Sequence, residues 1–229
     1  MSFAIRADSP ARFASGALDA LRSVGRPSGG LVFLSGSLAE RARDVVEALG
    51  RAEPSVPLLV AAAAGVLSER GEIEGQSAGA GVVFSGGRPE VRVVAATNPD
   101  DAASALAKEL AELTQRRNTT ALVFAQARAF GVESVEPLAG IPGVQIAGAG
   151  TTGDSPVFAV QAGGRVEEGG IGALLVRGLT PARVRASPAC KLLMPLRPIS
   201  AARGPLLLEI AGEPALDVLE SVAQGLTGQ

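Results

Sequence analysis

The sequence predicts an α/β (α+β) fold, a layered sandwich of mostly antiparallel sheet with outer helices, built from two similar halves by internal duplication. Three observations predict it. Apolar residues recur at helical spacing in Phe13, Ala17, Leu21 and Val24, and again 89 residues on in Ala102, Leu106, Leu110 and Leu113. Leu31-Val32-Phe33 and Leu122-Val123-Phe124, 91 residues apart, sit in short apolar runs that read as buried strands. Gly86 and Gly178, 92 residues apart, end a further matched pair of apolar runs. Three matches at nearly one offset point to a repeated unit.

Each element has a local reason. Asp8-Ser9-Pro10 opens the first helix and Asn98-Pro99-Asp100 its counterpart, because Ser and Asn accept from free helical N–H groups and Pro is at home in a first turn. Ser37-Leu38-Ala39-Glu40 reads as a capping box leading into a helix of about three turns. The matching stretch around Val132, Val135 and Leu138 reads as a shorter helix, stopped by Pro137 and Gly140. Leu58 to Gly65 and Val144 to Gly150 each read as a strand entering a small-residue turn. Gly81 to Gly86 and Ala173 to Gly178 are buried strands, each followed by an alternating one, Val91–Ala95 and Arg183–Ser187. The unit is helix, strand, helix, strand, strand, strand, over halves of about 1–97 and 98–195. From 196 to 229 the pattern changes to strand, turn and helix, with Leu206 to Ile210 as the strand and Ala215 to Ala223 as the helix.

Composition removes several classes of function. The chain has no histidine, which removes histidine-based triads, most zinc sites and the usual general base near neutral pH. It has no Trp or Tyr, so single-stranded nucleic acid and sugar rings lack stacking platforms. A net charge of −2 offers no broad basic surface for phosphates, and nucleic acid is not an expected partner. One cysteine, Cys190, cannot form an internal disulfide, and the apolar run from Pro57 to Leu67 falls short of the ~20 residues that span a bilayer. A cytoplasmic protein with no membrane partner, no metal and no cofactor is expected.

The best candidate contacts lie in Gly148-Ala149-Gly150-Thr151-Thr152-Gly153-Asp154. Gly148 and Gly150 let a ligand approach the backbone, while Thr151, Thr152 and Asp154 offer directional hydrogen bonds. Ordinary turn chemistry explains the same residues. The sequence contains no phosphate-binding G-x-x-x-x-G-K-[ST] pattern. Glu167-Glu168 reads as solvated turn charge rather than a catalytic pair, since neighbours on a strand face opposite ways. Ser77 lies outside any G-x-S-x-G elbow. Arg116, Arg117 and Lys108 read as cover for a helix end and outer face.

Ala147-Gly148-Ala149-Gly150, then Gly163-Gly164-Arg165-Val166 and the strand Ile171 to Val176, resemble the FIST pattern of glycine-rich turn, G-G-R-V hairpin and buried strand. Ala189-Cys190-Lys191 resembles that family's Gly-Cys-Arg step, and Glu209-Ile210-Ala211-Gly212-Glu213-Pro214-Ala215 its E-L-D-G-x-P-A segment, where a C-terminal FIST domain begins. The resemblance implies a FIST N-terminal-like domain over 1–195 and a partial C-terminal-like segment over 196–229. It also implies a non-catalytic sensory domain linked to signal transduction, binding a small molecule such as an amino acid and contacting a signalling protein. Cys190 and Lys191 join the expected ligand contacts on this basis; a free cysteine is otherwise more often a buried small hydrophobe. The sequence departs from the family at Val60-Ala61-Ala62, where members have a Gly-Cys-Ser type turn, and at Ala189 and Lys191. Lys191 keeps the charge but gives up bidentate geometry.

Two other readings compete. FIST-type domains also occur in F-box proteins, which implies a protein–protein interaction module. An enzyme using Cys190, Lys191 or Asp154 comes third, because activated nucleophile–base pairs are sparse. The segment after Leu196 buries little by itself, and homodimerisation through it is a further expectation.

Overall fold

The structure, a computed structural model, describes residues 1–229 except 70, 88, 95–98, 114–118, 127–130, 132–133, 154, 178–193, 205 and 225–229. It divides into two compact units, Met1–Arg183 and Val184–Gln229.

The first unit opens with β1 (Ser2–Arg6), α1 (Pro10–Ser23), β2 (Gly29–Ser35), α2 (Ser37–Glu40), α3 (Ala42–Ala52) and β3 (Leu58–Ala62). Ser9 caps α1 by accepting from the Arg12 N–H at 3.4 Å, and Pro10 follows in the first turn. The periodic residues Phe13, Ala17 and Leu21 are all buried. The expected capping box does not form. Gly36, with φ +59°, takes the cap position, and the Ser37 hydroxyl turns away to Ser77 Oγ at 2.6 Å. Ser77 Oγ also accepts from the Ser37 N–H at 2.9 Å, so a distant serine supplies the cap. The helix then breaks at Arg41 into the short α2 and the 11-residue α3.

There follow β4 (Gly65–Ser68), β5 (Gly71–Glu74), β6 (Ala78–Phe84), β7 (Glu90–Val94), α4 (Pro99–Leu113), β8 (Thr119–Ala125), α5 (Val135–Ala139), β9 (Val144–Gly150), β10 (Val157–Val160), β11 (Val166–Gly169) and β12 (Ile171–Arg177). Pro137 does not stop α5. It sits within the first turn, where a missing N–H costs no intrahelical bond, and Gly140 ends the helix. Arg116, Arg117 and the expected strand Arg183–Ser187 lie outside the described residues, whereas Lys108 is exposed on α4 as expected.

One sheet has the order β1-β6-β2-β3-β10-β11 and the other β7-β12-β8-β9, while β4 and β5 form a hairpin. Among the described pairs only β2–β3 and β8–β9 run parallel, each joined through helix as parallel neighbours require. Four strands of each sheet therefore correspond in order and direction: β1-β6-β2-β3 and β7-β12-β8-β9.

Side chains alternate between layers. Val32, Leu34, Leu58 and Val60 pack under α1, α2 and α3, whereas Leu31, Phe33, Leu59 and Ala61 face the second sheet. That sheet meets them with Val91, Leu122, Phe124 and Leu174 and turns Ala121, Val123, Ile171 and Leu175 towards α4 and α5. Phe33 and Phe124 meet edge to face across the sandwich, 5.2 Å between centroids. The result is helices, sheet, sheet, helices, a layered α/β sandwich of mostly antiparallel strands.

Glu167 and Glu168 are not turn charges but lie on β11. Their opposite orientations give them different partners: Glu168 pairs with Arg43 of α3, while Glu167 pairs with Arg165 and accepts from Gln161 Nε2 at 2.8 Å. Arg43 also lies 5.7 Å above the Phe158 ring, fastening α3 to the β10–β11 hairpin.

The second unit contains β13 (Ile199–Arg203), β14 (Leu206–Ile210), β15 (Glu213–Pro214) and α6 (Ala215–Gln224), in a sheet of order β13-β14-β15. Leu206, Leu207, Leu208, Leu216 and Leu219 are exposed, and Val218 is its buried apolar side chain among the described residues.

Candidate functional site

A departure from close packing in the first unit lies on the helix-facing side of β9. β9 is the last strand of its sheet, and among the described residues no strand pairs with its outer edge. Thr151 N–H donates to the Ala125 carbonyl at 2.7 Å, so residues alternating back from Thr151 face β8. Ile146, Gly148 and Gly150 consequently present both N–H and C=O to the open edge.

On the same face Val144 and Ile146 pack against the α4–α5 core, but Gly148 and Gly150 place no side chain there. The space remains as a hollow of about 300 Å³. Val123 and Ala125 of β8, Ile146, Gly148 and Gly150 of β9, and Val135, Leu138 and Ala139 of α5 line it. Among the described residues its walls carry no charged side chain, and the β9 backbone contributes polar groups. Val135 at its rim is 50% exposed, which leaves the hollow open to solvent. A site of this chemistry favours an uncharged or apolar group with a few hydrogen-bonding atoms beside it.

The two glycines are not equivalent. A Cβ at Gly148 would lie 1.7 Å from the Val123 carbonyl oxygen, so Gly148 lets β8 and β9 come together. A Cβ at Gly150 would meet only the Ala125 carbonyl oxygen at 3.8 Å, an ordinary contact. Packing therefore demands glycine at 148 and not at 150.

Of the residues expected to bind a ligand, Gly148 and Gly150 line the hollow. Thr151 is buried beyond the end of β9, and its hydroxyl donates to the Ser155 carbonyl at 2.8 Å, closing the turn. Thr152 is exposed, and its N–H donates to the Ala62 carbonyl at 3.2 Å, which ties the end of β9 to the end of β3. Asp154, Cys190 and Lys191 lie outside the described residues. The walls from β8 and α5 were not among the expected contacts. The signal available for them was the short helix between two matched strands.

Among the described residues no group of three or more His, Cys, Asp or Glu could hold a metal ion. No described helix is long and apolar enough to cross a membrane. No curated protein matches the chain. A model of the FIST family, described as the FIST N domain, matches residues 30–213. The chain belongs to the FIST family. FIST domains are generally sensory domains of signal transduction and are not known for catalysis. In this FIST chain the match takes in both sheets from β2 onward, including the hollow and its β9 edge, and extends into the second unit.

Proposed function

We propose that this FIST chain is a non-catalytic sensory domain that holds a small metabolite, an amino acid or a relative of one, in the hollow between β9 and α5. One observation carries the reading. The pairings Leu31↔Leu59 and Leu122↔Ala147 align the matched Leu-Val-Phe runs, so Val60 of β3 corresponds to Gly148 of β9 and Ala62 to Gly150. Where β3 fills the space beneath its helix, β9 leaves it empty beside backbone donors and acceptors that no described strand pairs. The absent charge suits an aliphatic or aromatic side chain, and the open edge suits polar atoms beside it. Occupancy would reach a signalling partner through α5, a single short turn whose side chains form one wall. A chain with one cysteine is consistent with a cytoplasmic setting.

The test is a thermal-shift screen of the purified chain against amino acids, organic acids and nucleotides. A ligand at 100 times its dissociation constant should stabilise the fold by about 2.7 kcal/mol. The shift should vanish in Gly150→Val, which puts a branched side chain into the hollow while its Cβ stays at an ordinary 3.8 Å from the Ala125 carbonyl oxygen. A ligand whose effect survives Gly150→Val in a folded protein would remove the hollow from the account.

A further inference from the structure

We propose that the ligand of this hollow is peptidic: an extended, uncharged segment of another polypeptide that adds to β9 as an antiparallel strand and drops one large apolar side chain beside Gly148. The proposal rests on the preceding reading only in taking the hollow as the binding site, and it goes beyond that reading by putting a strand of another polypeptide there in place of a free metabolite.

The edge itself is the first reason. Val144 to Gly150 carries no charge and no proline, the devices that normally keep an exposed edge from pairing. The other edge strands of the two large sheets differ: β11 carries Glu167 and Glu168, β7 carries Glu90 and Arg92, and β1 ends in Arg6. An unprotected edge offers a row of backbone donors and acceptors to an incoming strand.

The corresponding edge shows what fits there. β3 receives β10 antiparallel on its outer side, with Phe158 opposite Val60 and Val160 opposite Leu58. Phe158 turns to the helix side of that sheet and is 3% exposed within its core. Transferred to β9, the residue in the place of Phe158 stands opposite Gly148, on the face where the hollow lies. Cross-strand side chains approach within about 5 Å, and a large ring beside an edge glycine fills the volume that the glycine leaves. Backbone pairing then supplies affinity independent of sequence, and the hollow supplies the choice of side chain.

The probe is the blocked heptapeptide corresponding to Ser155–Gln161, Ser-Pro-Val-Phe-Ala-Val-Gln, compared with a version carrying Asp in place of Phe. Binding to the full chain is measured by titration, and amide exchange locates it. Expected are saturable binding, slowed exchange at Ile146, Gly148 and Gly150, and at least about tenfold weaker binding of the Asp peptide. Gly150→Pro removes one outward donor at a position where an added Cβ keeps ordinary contact distance, and should abolish binding. Exchange on the unaltered protein decides the matter if that variant does not fold. Protection confined to β3, or unchanged peptide binding by folded Gly150→Pro, overturns the proposal. A free amino acid that protects β9 while the peptide does not also overturns it and leaves the hollow as a small-molecule site. If neither protects β9, this proposal falls, and the Gly150→Val screen decides the reading beneath it.

Discussion

In the six-stranded sheet, β3 lies between β2 and β10 beneath the 11-residue α3, and every one of its residues is buried. In the four-stranded sheet, β9 has only β8 beside it among the described strands, lies against the five-residue α5, and has four exposed residues. The two strands hold corresponding places in matching frames of helix, strand, helix and parallel strand. The difference is one of filling: Leu58, Val60 and a full helix on one side, Ile146, Gly148 and a single turn on the other. Hydrogen-bonded frames tolerate such changes because backbone pairing does not depend on side-chain volume. Close packing does depend on it, so the same frame encloses a core in one sheet and leaves a hollow in the other.

The largest expected contrast comes from truncating the two corresponding side chains. Leu58→Ala should cost about 2–5 kcal/mol in denaturant unfolding, as a fully buried leucine facing α3 does when its space cannot collapse. Ile146→Ala, beside an existing hollow, should cost less than half as much; equal losses would show β9 to be packed as tightly as β3. Next in size is the glycine pair. Gly148→Ala drives a methyl group against the Val123 carbonyl and should cost about 1–3 kcal/mol, whereas Gly150→Ala should stay within about 0.5 kcal/mol. The reverse order would contradict the division between a glycine needed for strand approach and one that only leaves space.

Two smaller effects sharpen the comparison at the strand ends and the hairpin. Thr151→Val removes the hydroxyl that donates to Ser155 and should destabilise by about 1 kcal/mol without altering ligand response, because that hydroxyl closes a turn. Loss of ligand binding with unchanged stability would return Thr151 to the site. Arg43→Ala cuts the tie between α3 and the β10–β11 hairpin that seals β3. Its ion pair with Glu168 is largely solvated, so unfolding should show a loss of about 0.5 kcal/mol that shrinks in high salt. A salt-insensitive loss would assign the effect to the Phe158 ring instead.

Much of the frame was legible in the sequence because it rests on local signals. Ser9-Pro10 and the spacing of Phe13, Ala17 and Leu21 fix α1, and the repeated Leu-Val-Phe runs mark β2 and β8 as matched strands. Weak patterns hid other elements: β1 is five residues at an edge, and β4–β5 mixes Gly, Glu and single apolar residues with no clear alternation. The capping box at Ser37 misled because its hydroxyl is taken by Ser77, 40 residues away, which no local pattern reports. Gly148 and Gly150 stood out as small residues where a ligand could approach, but the hollow beside them depends on β8–β9 register and on where α5 ends. Those are long-range facts. Thr151 looked equally available in sequence, and only the fold shows its hydroxyl spent on Ser155.

The most direct test of the contrast is amide hydrogen exchange, resolved by residue, on the ligand-free chain. The account predicts slow exchange throughout Leu58–Ala62 and fast exchange at Ile146, Gly148 and Gly150, whose N–H groups face the open edge, with Ala147 and Ala149 protected by β8. Protection of Ile146, Gly148 and Gly150 equal to that of β3 would mean that the β9 edge is already paired, and the open site would be lost with it.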